Sequence, residues 1–94
     1  MPARRLTFRV HAIERMAERR INVDDVLHVI ETGETIEAYP ADYPYPSRLV
    51  LGWIDLRPIH VVAADVDDSD QTIIITVYEP DAGAWDRTFR RRLS

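Results

Sequence analysis

The chain contains no cysteine and no lysine. Without cysteine there is no disulfide framework, no thiolate chemistry and no cysteine-based zinc site. Without lysine, no amine is available as a Schiff-base nucleophile or general base. Every basic residue other than histidine is an arginine, protonated at any physiological pH. Glycine is scarce, with three residues in 94. No apolar run approaches the roughly 20 residues of a membrane-spanning helix. The basic N-terminal residues lead into no apolar segment, so a signal peptide is not expected. A single small domain over residues 1–94 is expected, in a reducing, cytoplasmic setting, without membrane association.

The charge is unevenly distributed. The net charge is −4. Residues 1–20 hold six arginines against Glu14 and Glu18, a local +4. Residues 21–86 hold two arginines against fourteen acids, a local −12, and residues 87–94 add four arginines and no acid. An acidic body argues against general nucleic-acid affinity, which depends on phosphate neutralisation. It leaves room for a local basic cleft, if the two ends meet in the fold.

Hydrophobic periodicity gives the element order. Residues 4–9 read as a short edge strand or an arm. A helix over about 10–20 follows, with Ile13, Met16 and Ala17 on its apolar side and Ala12 at the border. At about 100° per residue, His11, Arg15, Glu18 and Arg19 share the other side. Asn22 is a good N-cap for a second helix, with Asp24 and Asp25 in its first turn and Gly33 closing it. Val23, Val26, Leu27 and Ile30 form its expected buried stripe, and the short link predicts a tight helix pair. Strands are expected over 35–39, 48–55, 59–66 and 71–79. A proline-rich loop covers 40–47, a turn lies at 56–58 and an acidic turn at 67–70. Gly52 marks a bulge or a close approach. Helices and strands are segregated, which predicts an α+β fold: an N-terminal helix pair on one face of an antiparallel four-stranded sheet.

The motifs carry a family resemblance. His11-Ala12-x-Glu14-Arg15-Met16-x-Glu18-Arg19 is followed by Ile21. Gly33-Glu34-x-Ile36-Glu37 and Pro58-x-His60-Val61-Val62 come next, then Ile75-Thr76-Val77-Tyr78-x-Pro80-Asp81 and Trp85. From about residue 6 to 86 this order resembles a family of small prokaryotic proteins classed as a domain of unknown function and related to RelE/ParE-like toxins. The resemblance implies a RelE-like fold, an antitoxin partner, and RNA cleavage on or off the ribosome. Gyrase inhibition, as in some ParE-type relatives, is another function it admits.

RelE-like cleavage uses the ribose 2′-hydroxyl as nucleophile, so the protein supplies a base, an acid and cations for the phosphorane. His11 and His60 are candidates for base or acid. Arg15 is a candidate phosphate clamp, and Tyr78 a proton donor. Arg19, Arg48, Trp85 and Arg87 are candidate RNA contacts, Trp85 by stacking on a base. Each has a plainer structural explanation. His11 suits a capping position, Arg15 can pair with Glu18 at i,i+3, and His60 and the aromatics suit a core. Arg19 has no acid three or four residues away on its helix. No His-x-His or His-x₃-His spacing supports a metal site, and no cofactor is expected. A four-residue loop at 67–70 would set Val66 opposite Gln71 and His60 opposite Val77, leaving Tyr78 on the other face unless a bulge intervenes. The alternative function is a non-catalytic protein-binding module or homodimer, for which the long apolar strands and the Tyr/Pro-rich loop speak.

Overall fold

The computed structural model describes residues 5–93. Arg4, part of the expected first strand, lies outside the described residues. Strand β1 (Arg5–Phe8) is followed after Arg9 by helix α1 (Val10–Arg19). Arg20 then adopts a left-handed conformation at φ 56°. The Ile21 amide donates to the Met16 carbonyl at 2.9 Å and the Arg20 amide to the Ala17 carbonyl at 3.4 Å. This double closure is a Schellman ending, and Ile21 and Met16 bury together beside it.

Helix α2 (Val23–Thr32) starts on the expected cap. The Asn22 side chain accepts from the Asp25 amide at 2.8 Å, and the Asp25 carboxylate accepts from the Asn22 amide at 3.0 Å. The reciprocal box satisfies two otherwise orphan donors. Gly33 ends the helix with extended backbone. Its requirement is space: a Cβ there would lie 2.5 Å from the Leu51 and Val29 carbonyl oxygens.

Strands β2 (Glu34–Tyr39), β3 (Ser47–Ile54), β4 (Arg57–Val66) and β5 (Gln71–Tyr78) follow, with a short 3₁₀ turn over Asp67–Ser69 between the last two. They form a five-stranded sheet in the order β1-β5-β4-β3-β2. The expected four-stranded antiparallel sheet is corrected to a mixed one. The segment read as an edge strand or arm pairs in parallel with β5, Arg5 opposite Gln71 and Phe8 opposite Ile74. The helix pair carries the chain from β1 at one edge of the sheet to β2 at the other, and β3 and β4 lead back to β5 beside β1. The expected turn at 56–58 is shorter. Asp55, at φ 55°, and Leu56 make the hairpin connection, and Pro58 already pairs with Trp53 in the ladder.

Both helices pack on one face. α1 lies against β5 and α2 against β3 and β4. Ala12, Met16, Ile21, Val26 and Val29 close over Val50, Ile59, Val61, Ala63, Ile74 and Val77. Each helix rests on the sheet more than on the other. The buried arc of α1 is centred on Ala12 and Met16, and Ile13 and Ala17 face solvent, contrary to the expected stripe. In α2, Val26 and Val29 are buried, Leu27 and Ile30 half-buried, and Val23 exposed. The helices lie flat on a sheet, so a narrow arc is covered where a bundle would cover a wide one. Gly52 is a close-approach site: a Cβ there would meet the Val29 side chain at 2.8 Å.

Val66 faces Gln71 as expected, but the register shifts between Val62 and Ala63. Ile75 is the extra residue of the bulge. Beyond it, Val61 faces Val77 and His60 faces Tyr78. The expected opposition of His60 and Val77 is therefore corrected by one residue. A bulge adds one residue to one strand and reverses the facing of everything beyond it.

Candidate functional site

Alternation along β4 sends Ile59 and Val61 to the helices and His60 to the opposite face. There His60 is fully buried. Its Nε2 lies 2.8 Å from the Phe89 carbonyl oxygen, an acceptor only, so Nε2 carries the proton. Its Nδ1 is then the acceptor for the Tyr78 hydroxyl at 3.1 Å. Burial pushes the His60 pKa below its ordinary 6.5, and the Phe89 carbonyl opposes that in part. Burial also pushes the Tyr78 phenol up. The result is a neutral imidazole with both nitrogens engaged.

The cover on this face is the C-terminal segment, residues 80–93. It turns back on itself through a single bridge between Trp85 and Arg92. Trp85 is buried, with its ring edge-on to His60 at 4.5 Å. The Arg92 guanidinium lies over Trp85 at 4.7 Å. Arg92 Nε reaches Glu37 Oε2 at 3.2 Å, and Arg90 reaches Glu34 at 2.6 Å. Phe89 meets Trp53 edge-on at 6.0 Å. Glu37 also accepts from the Tyr39 hydroxyl, and that bond is the main reason its carboxyl lies below the usual range.

The expected site residues do not form one cluster. His60, Tyr78 and Trp85 come together under the tail. His11, Arg15 and Arg19 lie on exposed α1, on the other side of the sheet. Arg15 holds Glu18 at 3.8 Å, the pair the spacing suggested. The Arg19 side chain has no ion pair among the described residues, and it lines a cleft of about 520 Å³ with Pro58, Glu79, Asp81 and Phe89. The Arg19 carbonyl accepts from Arg57 at 2.9 Å, and Arg57 also holds Glu79 at 3.1 Å. Arg48 is engaged by Asp65 at 3.2 Å, and Asp65 accepts in turn from Thr72. Arg87 is exposed on the tail. Among the described residues no cluster of histidine, aspartate or glutamate suits a metal ion. Among the described residues no helix is long and apolar enough to cross a membrane.

The residues that sequence reasoning passed over are Glu34, Glu37, Tyr39, Trp53, Phe89, Arg90 and Arg92. No local signal marks them: Glu34 and Glu37 meet Arg90 and Arg92 across more than fifty positions of chain. Arg90 and Arg92 of the tail are neutralised by β2, and the cleft that Arg19 shares with Phe89 is lined by the acids Glu79 and Asp81.

A family model described as "Domain of unknown function (DUF4258)" matches residues 8–79. The matched stretch includes His11, Arg15, Arg19, His60 and Tyr78 and ends before Trp85. No curated protein and no solved structure matches the chain.

Proposed function

The chain belongs to this family of unknown function, and from that premise we propose that it is the toxin-type partner of a toxin–antitoxin pair, acting on RNA through the basic flank of α1. The observation that carries the reading is where uncompensated cations remain. Arg48, Arg57, Arg90 and Arg92 each hold a carboxylate. Arg5, Arg9, Arg19, Arg20, Arg87 and Arg91 are exposed and in no ion pair among the described residues, and three of these six, Arg9, Arg19 and Arg20, lie with the exposed His11 around α1. On an acidic protein this flank is where a phosphate is welcome.

In the proposed reaction the ribose 2′-oxygen attacks the adjacent phosphorus and the 5′-oxygen leaves. The products are a 2′,3′-cyclic phosphate and a 5′-hydroxyl. His11 takes the proton from the 2′-hydroxyl as general base, and Arg15 and Arg19 hold the phosphoryl oxygens as negative charge builds on them. The leaving oxygen takes its proton from water or from the histidine after it has been charged. His60 and Tyr78 bond to each other under the tail, and their part here is to hold the sheet and tail together. RelE-like ancestry and an antitoxin partner belong to the same proposal and rest on the motif resemblance.

A second reading, a non-catalytic protein-binding module, is favoured by one observation. Val10 and Ile13 are 73% and 52% exposed on α1, an apolar strip beside the cations. Purified protein incubated with RNA, with and without ribosomes, separates the two readings. Cleavage ends bearing a cyclic phosphate, reduced about 10²–10⁴-fold in His11→Ala with folding intact, support the first. No cleavage in either setting, with partner capture lost in Ile13→Asp, supports the module instead.

A further inference from the structure

The tail is held as a ligand is held. It contributes no strand to the sheet, and its only regular pairing is its own bridge. It meets the sheet through two guanidinium–carboxylate pairs, Arg90 with Glu34 and Arg92 with Glu37. Two edge-on ring contacts join them, Phe89 with Trp53 and Trp85 with His60. One backbone acceptor, the Phe89 carbonyl, takes the His60 proton. Phe89 pays for that contact with a left-handed backbone at φ 60°, which a non-glycine residue adopts only when its surroundings hold it there. Both ion pairs are partly open to water, so each is individually weak and screened by salt. The receiving surface is anionic and aromatic, which suits an arginine-bearing peptide and repels a phosphate backbone.

We infer that Glu34, Glu37, Trp53 and His60 form a peptide-binding cradle whose resident ligand is the chain's own tail. An extended peptide bearing arginines and aromatic residues is the class of ligand it accepts in trans. Exchange uncovers His60 and Tyr78. Tethering gives the tail an effective concentration on the order of millimolar, so it excludes free peptide until its own contacts are weakened. The inference is independent of RNA cleavage and stands whichever functional reading holds.

The full chain carrying Arg90→Glu and Arg92→Glu tests it. Acrylamide quenching of the two tryptophans reports tail release, and the ring nitrogens of His60 report it independently by NMR. A synthetic peptide of residues 84–93 is the probe. Expected are greater quenching in the variant, saturable peptide binding that restores the native His60 ring signals, and at least tenfold weaker binding to the wild-type chain. A variant whose tail stays in place overturns the proposal, as does one whose tail is released but which ignores the peptide. If the double variant does not fold, the exchange is made in the cradle. A chain with Glu34→Arg and Glu37→Arg is expected to prefer a peptide with glutamate at positions 90 and 92 over the native one. Failure of that preference to invert overturns the proposal equally.

Discussion

His60 on β4 and Tyr78 on β5 stand directly opposite one another, and the phenol donates to the imidazole Nδ1 at 3.1 Å. The pairing depends on the bulge at Ile75, which turns Tyr78 to the face His60 occupies. With Nε2 bound to the Phe89 carbonyl, the histidine links three separate segments of the chain.

Tyr78→Phe removes the one donor to Nδ1 and leaves that nitrogen buried without a partner. The expected cost is about 1–3 kcal/mol, read as a lower denaturation midpoint with an unchanged slope. An unchanged midpoint would mean that water replaces the phenol.

Stability should fall as the solution is acidified from about pH 6.5. Burial holds the folded His60 pKa below 6.5, so between the folded pKa and that value the unfolded chain binds a proton that the native chain does not. Stability rises with pH in that window, by at most about 1.4 kcal/mol per pH unit for one proton. It levels off below the folded pKa. Glu37, held low chiefly by Tyr39, adds a further loss only on acidification below 4.5. Denaturation midpoints collected between pH 5 and 8 should slope in the wild type and flatten in His60→Gln.

Gly52→Ala should destabilise the domain by about 1–3 kcal/mol, because its methyl group meets the Val29 side chain at 2.8 Å. Val29→Ala frees that space, so the double variant should recover part of the loss. A double-mutant cycle with no coupling between the two sites would contradict this packing.

Arg20→Gly should raise stability by roughly 0.5–1 kcal/mol, since the left-handed backbone at the end of α1 costs an arginine more than a glycine. Asn22→Ala, two residues on, should lower it by about 1 kcal/mol through loss of the capping box. Thermal unfolding of the two variants should move in opposite directions.

What the sequence made legible was largely local. The α2 start was readable because Asn22 and Asp25 satisfy each other within one turn. The position and type of four strands, and the close approach at Gly52, followed from apolar runs and a lone glycine. Three features were not legible, for related reasons. The parallel pairing of β1 depends on β5, at the far end of the chain. The bulge at Ile75 leaves no mark in a run of three isoleucines, yet it decides which face Tyr78 takes. The rotation of α1, which buries Ala12 and exposes Ile13, is set by how the helix meets the sheet. At the candidate site, the row His11, Arg15 and Arg19 was visible from spacing. The cradle under the tail was not, because Glu34 and Glu37 pair with residues more than fifty positions away.

The parallel pairing of β1 with β5 bears on the order of assembly. Among the described residues, β1 pairs with β5 alone. On a ribosome, β1 and both helices emerge well before the β5 strand on which β1 and α1 pack. Until then Met16, Ile21 and Phe8 have no complete sheet to cover. Closing so long a loop is entropically slow, so folding should be a single late event once β5 is free rather than a progressive one. A chain stalled before Gln71 emerges should remain open to proteolysis, and one released beyond the tail should become resistant in one step.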